Sequence, residues 1–453
     1  MSPAATAPTL AGRTDTRTDV RTVVVGAGPG ALSVVLALQC RGLDAEPLVI
    51  DPSGTWLARW RRRFRAQGIP NLRSPAVHHP HPDAFALLGR ADDHDLVRSG
   101  GVHLPTTALF DRFIDELVED HALAPLVRAD HVARIDVDRD GAPTVVTGSG
   151  EVVRAGQVIV ATDRRVAPDV MRDPDLPTGR VCGVDGADVA DVRAGERVAV
   201  VGGGLSAVHL AIGAARRGAE VVLVARRSLE VRRFDTHPSW LGPARLREFR
   251  SVVDPAARHR AIVNARGGGT VPHRFRRELA ELEDAGAVTC IERAELAAVR
   301  AGRDGIDIEL RAPGPASDRM RGLDRVWLAT GGRVDVASDP LCGALVAGAP
   351  ATLAGGLPDL DADLCWPGTR VHLLGASAGL VLGPTAGNLV GLRRGAQRIA
   401  AALAGEDPAR ADRAITGAGA CVVPTPPGRM RDERPSSADR AERPRRRQER
   451  ARR

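Results

Sequence analysis

The stretch RTVVVGAGPGALSVVLALQC, residues 21–40, decides how the rest of this 453-residue chain is read. Arg21–Val25 is an apolar run with the β-branched content of a buried strand. It ends in Gly26-Ala-Gly28-Pro-Gly-Ala31, after which SVVLALQC has helical character. A second apolar run, Pro47–Ile50, ends at Asp51, 25 residues after Gly26. Strand, glycine turn, helix and strand make a βαβ unit, and each part has a task. Gly26 turns the chain, Gly28 lets backbone N–H groups approach a pyrophosphate at the helix N-terminus, and the small Ala31 packs helix on strand. Asp51, at the tip of the second strand, is placed to accept a hydrogen bond from a ribose hydroxyl.

The pattern recurs with one informative change. Arg197–Val201 leads into Gly202-Gly-Gly204-Leu-Ser206-Ala207, a helix through Ala215, and a strand Glu220–Val224 that ends in Ala225-Arg226-Arg227. A carboxylate at that tip repels a 2′-phosphate and a guanidinium pair attracts one. The first unit therefore suits the ribose of an adenine dinucleotide without that phosphate, and the second suits NADPH. Two strands ending in similar motifs follow these units, Gln157–Val160 before Ala161-Thr162-Asp163 and Arg325–Leu328 before Ala329-Thr330-Gly331. Each closes a stretch of alternating polarity, 131–153 and 294–313, that predicts a β-meander. Val371–Leu374 then runs into Gly375-Ala376, a Gly/Pro loop at Gly383–Gly391 and an amphipathic terminal helix.

Composition removes whole chemistries. All 63 basic residues are arginine, and there is no tyrosine. Without lysine there is no Walker-A or kinase phosphate lysine and no Schiff base. Without lysine and tyrosine, the nucleotide loops cannot be those of a short-chain dehydrogenase. Six scattered cysteines with no C-x-x-C pair argue against a zinc site, a redox dithiol and a secreted disulfide framework. The formal charge of +7 is concentrated in Arg431–Arg453, with 10 arginines against 5 acids, so the remainder is nearly neutral and argues against nucleic-acid binding. No apolar run reaches the ~18 residues of a membrane span, and Met1–Val20 has no apolar signal core. A cytoplasmic location is expected.

The order of these motifs resembles the two-dinucleotide-binding-domain flavoproteins over roughly residues 20–404. Asp324-Arg-Val-Trp-Leu328-Ala329-Thr330-Gly331 is similar to the D-x-x-x-[LF]-A-T-G-Y of class B flavin monooxygenases, above all the microbial N-hydroxylases of ornithine or lysine. Gly202–Ala207 is similar to their G-x-G-x-S-A, and Leu104-Pro105 to their L-x-I-P segment. Gly332 stands where that family has Tyr, Leu205 where it often has Gln and His209 where it often has Glu, and the ornithine enzymes' substrate Lys and Asn-Glu have no counterpart.

The resemblance implies an α/β fold with two Rossmann-like domains, the NADPH domain inserted in the FAD domain. The expected division is a disordered leader 1–19, FAD-binding domain 20–165, NADPH-binding domain 166–320, returning FAD segment 321–404 and disordered basic tail 405–453. Implied cofactors are FAD and NADPH. Implied cofactor contacts are Gly26, Gly28, Ala31 and Asp51, then Gly202, Gly204, Ser206, Ala207, Arg226 and Arg227, and finally Thr330, Gly331, Gly375, Pro384 and Asn388. The implied reaction uses NADPH, O2 and a C4a-hydroperoxyflavin to hydroxylate a small amine or amino-acid nitrogen in siderophore or secondary metabolism. A reductase or oxidase without oxygen transfer, and a non-catalytic redox module, remain as alternatives. Self-association is left open, and no membrane partner is expected.

After the FAD-ribose acid come Trp56–Arg63 and Leu72-Arg73-Ser74-Pro75-Ala-Val-His78-His79-Pro80-His81-Pro82-Asp83. On one reading Arg73, Ser74 and His79 line the flavin or the oxygen-activation pocket. On others His78, His79 and His81 hold a metal, or are solvated histidines on a rigid loop. Metal is not expected. The arginines from Arg59 to Arg65 are read as a solvated helix face or a diphosphate clamp. Trp240 and His237 are read as closing over nicotinamide or shaping a substrate cleft, with Trp240 as a packing anchor the alternative.

Overall fold

The end of strand Arg17–Val25 is buried on both faces, since the adjacent Val23 and Val24 have no exposed surface, so it must be covered from above and below. In a computed structural model, which describes residues 17–166, 175–177, 179–311 and 319–409, it lies centrally in a seven-stranded sheet. Leu48–Asp51 and Val152–Val160 flank it in parallel, with Val23 opposite Leu48 on one side and Val158 on the other. Val127–Ala129 extends the first flank. Val152–Val160 ends the expected meander with Val132–Val137 and Pro143–Thr147, and its far end pairs in parallel with Val371–Leu373. Helix Pro29–Cys40 packs on this sheet and against the terminal helix Leu389–Leu403. The fit is close, since a Cβ on Gly395 would sit 2.4 Å from Leu374 Cδ1.

A second parallel sheet runs in the order Val288–Glu292, Glu220–Ala225, Arg197–Val201, Arg325–Leu328, Val181–Gly183. The second meander forms its own antiparallel sheet from Glu295–Ala301, Ile306–Arg311 and Arg319–Leu323. The α/β architecture, with one nucleotide-binding sheet inserted into another, is therefore as expected. Two boundaries move. Arg325–Leu328 was expected in the returning FAD segment, but Val198 to Val201 pair with it, so the inserted domain extends through Leu328. A strand buried on both faces has the same apolar sequence in either sheet, and only the crossover decides between them. The first strand also begins at Arg17, inside the expected leader, in register with Val152. The leader before it, the segment 167–174 and the tail from 410 lie outside the described residues. Among the described residues no helix is long and apolar enough to cross a membrane.

Candidate cofactor and catalytic site

The first fingerprint turns at Gly26, whose φ of 93° is left-handed and whose amide donates to Ile50 O at 2.8 Å. A Cβ there would lie 2.7 Å from Thr162 Cγ2, so glycine is required. Gly28 is the N-cap of the helix, and no side chain caps its first turn. A Cβ on Gly28 would meet nothing within 4 Å. Open space beside uncapped helix N–H groups is what a dinucleotide pyrophosphate needs, so FAD fits this cradle. Asp51 is fixed at the strand tip: its Oδ2 accepts from Ala27 N at 2.9 Å, and its Oδ1 from Ser53 N at 2.9 Å and Ser53 Oγ at 2.5 Å. Leu57, itself left-handed at φ 57°, donates from its amide to Ala27 O and ties the next loop to the fingerprint.

The second fingerprint repeats the turn, with Gly202 at φ 153° and a virtual Cβ 2.3 Å from Ala329 O. Gly204 is an uncapped N-cap, followed by half-buried Ser206 and fully buried Ala207. Here a wall faces the turn. A Cβ on Gly269 would lie 2.5 Å from Gly204 Cα, so glycine is required there, while the Arg227 guanidinium lies against Gly268. Arg226 and Arg227 are both exposed at the strand tip, beside this glycine wall, and no carboxylate pairs with either among the described residues. This donor set fits the 2′-phosphate of NADPH.

The return segment is held by a group that motif reading missed. Asp163 stands where the first A-T motif would carry glycine, and it accepts from the amides of Ala376 at 2.8 Å and Ser377 at 3.4 Å. Gly375, at φ 101°, leaves room for it, since a Cβ there would lie 2.6 Å from Asp163 Oδ2. Burial pushes the Asp163 carboxyl up, opposed by those amides and by Arg165. The inserted domain also grips the segment: Arg266 donates to Pro384 O at 2.7 Å and Asp235 Oδ2 at 3.1 Å, and Asn388 Nδ2 donates to Asp235 Oδ1 at 3.4 Å. Thr330 and Gly331 lie at the exposed end of strand Arg325–Leu328, and a Cβ on Gly331 meets nothing within 4 Å. Gly332 is different, because a Cβ there would lie 2.9 Å from Arg165 Cβ, which leaves no room for a tyrosine ring.

Arg73, Ser74 and His79 are not brought together around one open pocket. His79 has no exposed surface, stands edge-on to Phe113 at 5.0 Å, and its Nε2 pairs with Ala84 O at 3.1 Å. Burial, reinforced by Arg393, pushes its pKa well down. It is a neutral core histidine facing no open space, which corrects its reading as a pocket-lining group. Arg73 crosses to the inserted domain, donating to Arg233 O at 2.8 Å, Arg232 O at 2.9 Å and Thr270 Oγ1 at 2.8 Å. Ser74 is half-buried beside it. In the arginine run Arg59 pairs with Asp185, and Arg61 with Asp111 at 3.5 Å and Asp115 at 2.5 Å. Trp240 is buried edge-on to Phe249 at 5.8 Å and clusters with Ile262, Leu357 and Leu380, joining the inserted domain to the return segment. His237 caps the turn before it, accepting from Ser239 N at 3.2 Å.

With this geometry in place, residues 20–240 match the model of the pyridine nucleotide-disulphide oxidoreductase family. Ornithine hydroxylase (PvdA) from Pseudomonas aeruginosa has a similar structure, with TM-score 0.67 and 18% identity over 84% of this chain and 98% of that one. The ornithine N-hydroxylase KtzI of Kutzneria sp. 744, determined with reduced FAD, NADP+ and L-ornithine, gives 0.68 and 17% over 85% and 98%. L-lysine 6-monooxygenase from Pseudomonas syringae gives 0.65 and 20% over 86% and 99%. Among curated proteins, indole-3-pyruvate monooxygenase YUCCA1 of Oryza sativa subsp. japonica is 27% identical over 214 residues, 46% of this chain and 48% of its own, so the match spans about half of that relative. The chain has the two-dinucleotide fold of flavin-dependent oxidoreductases, and the expected cofactors, FAD and NADPH, correspond to those in KtzI.

Proposed function

We propose that the protein is an NADPH- and FAD-dependent monooxygenase that hydroxylates the nitrogen of a small amine or amino acid. The observation that carries this reading is the asymmetry of its two nucleotide cradles, with a fixed carboxylate at Asp51 and exposed guanidiniums at Arg226 and Arg227. Oxygenation is favoured over dithiol chemistry because the sequence has no C-x-x-C pair, Cys40 is disulfide-bonded, and burial pushes the free thiols of Cys182, Cys290, Cys342 and Cys365 up to about 11 to 12. When bound and reduced by NADPH, FAD supplies the electrons that split O2, placing one oxygen on the substrate nitrogen and the other in water.

The chain's own residues do the rest. Gly28 and the helix behind it receive the FAD pyrophosphate, Asp51 its ribose, and Arg226 with Arg227 the coenzyme phosphate. Asp163 anchors the return segment, while Asp235, Arg266 and Asn388 hold the inserted domain to it, positioning one cofactor against the other. A role in siderophore or secondary metabolism, in the cytoplasm, belongs to the same proposal. Amines screened for NADPH oxidation coupled to hydroxylamine formation test it. Stoichiometric hydroxylamine supports N-hydroxylation, and peroxide release without product for every amine would replace it with an oxidase.

A further inference from the structure

A cavity of about 220 Å³ opens between the two domains, lined on one side by Arg73, Arg98 and Ser99 and on the other by Leu205, Arg233 and Arg274. Four arginines are among the residues that line it, beside Val97, Leu104, Leu205, Pro272 and Phe275, which make most of its wall apolar, and no carboxylate lines it. The nearest acids are already engaged. Asp235, which faces Arg73, pairs with Arg266 at 3.1 Å, and Glu278, which faces Arg274, pairs with Arg216 at 2.5 Å. Arg73 spends its donors on the Arg232, Arg233 and Thr270 backbone and hydroxyl, so it contributes charge and shape rather than free N–H groups. The other three keep donors available. Arg98 is exposed with no partner among the described residues, Arg233 gives one bond to Gly100 O at 2.8 Å, and Arg274 stacks on Phe275 at 4.5 Å. Burial lowers the pKa of Arg73 to about 10, and it stays charged at neutral pH.

Uncompensated cations held together in a concave site cost free energy that an anion relieves, and planar guanidiniums match the paired oxygens of a phosphate or carboxylate. The cavity lies where the domains meet, a usual place for a small-molecule site. Arg226 and Arg227 are absent from its lining, so the coenzyme phosphate they suit has its own place. We propose that this cavity binds an acidic group of the oxidised substrate, and that the group carries two negative charges, as a phosphate monoester or a dicarboxylate does. The inference rests on the monooxygenase reading for the word substrate and on the cavity alone for the anion. Three guanidiniums with free donors and a fourth fixed beside them exceed what one carboxylate would neutralise, which is why a dianion is specified.

The test is calorimetric titration of the flavin-loaded protein with inorganic phosphate, with acetate as the singly charged control. With Arg226→Ala and Arg227→Ala introduced so that the coenzyme-phosphate pair is not read, one equivalent of phosphate should bind, at least about tenfold more tightly than acetate. Arg98→Ala with Arg274→Ala should weaken phosphate by about 100-fold. Arg98→Lys with Arg274→Lys should recover most of the affinity, which a purely structural role would not do. Saturating NADP+ should leave phosphate binding intact. Competition by NADP+ would assign the cavity to the coenzyme, and no phosphate binding would remove the site, so either result overturns the proposal. Because binding is read without turnover, failure to form a hydroxylamine is registered separately, as failure of the monooxygenase reading.

Discussion

Replacing Gly28 with valine should separate folding from flavin binding. The residue is extended, at φ −82° and ψ −177°, a conformation open to any amino acid, and its Cβ would meet no atom within 4 Å. The folded chain therefore loses little more than an N-cap preference, about 0.5–1 kcal/mol. The same empty space is the path of the pyrophosphate, and a branched side chain there blocks approach to the helix N–H groups. Losing two charge-assisted hydrogen bonds at about 1.5–3 kcal/mol each weakens FAD by roughly 10²- to 10⁴-fold. Flavin absorbance per protein after purification, with thermal unfolding of the flavin-free form, reads both quantities. Gly28→Val should be colourless yet melt within about 3 °C of flavin-stripped wild type. Gly26→Ala should lose both flavin and stability, because φ is 93° and the new Cβ meets Thr162 Cγ2 at 2.7 Å. A Gly28→Val protein that keeps full flavin would refute the placement of the pyrophosphate.

Replacing Arg226 and Arg227 together by alanine should raise the KM for NADPH by about ten- to a hundredfold or more and hardly alter that for NADH, measured as coenzyme-dependent flavin reduction. Equal loss with both coenzymes would make the pair structural. His209 is buried edge-on to Phe275, and burial, with Arg274 nearby, pushes its pKa down to about 4. The unfolded chain takes up that proton near pH 6.5 and the folded chain does not until about 4, so stability is fully present above 6.5 and falls as pH drops toward 4, by about 3 kcal/mol. Denaturant titrations at pH 7 and 4.5 should show a smaller pH-dependent loss for His209→Leu than for wild type, and equal losses would contradict the assignment. Gly332→Tyr should lower the melting temperature rather than raise activity, because Arg165 Cβ and Val166 O occupy the space.

Much of this architecture is legible in the sequence because it is local. The glycine turns, the Asp51 and Arg226–Arg227 tips and both meanders are set by residues within one βαβ or hairpin unit, where periodicity and φ requirements act directly. What was not legible is long-range. Asp163 departs from the expected glycine because its partners, Ala376 and Ser377, arrive more than 200 residues later. His79 lies among prolines and reads as a pocket-lining or a solvated loop histidine, yet Phe113 and Arg393 come from distant helices to bury it. The Arg73 clamp likewise depends on carbonyls of Arg232, Arg233 and Thr270, supplied by the inserted domain. Trp240, for which both a cleft role and a packing role were open, packs in a cluster that spans the two domains.

The proposed reaction requires electron flow from the second nucleotide site to the first. Purified, flavin-loaded protein mixed anaerobically with one equivalent of NADPH should lose its oxidised-flavin absorbance well before the same mixture with NADH, and admitting O2 with a suitable amine should return the oxidised spectrum with one hydroxylamine per flavin. A flavin that NADPH leaves oxidised, or that NADH reduces faster, would contradict it.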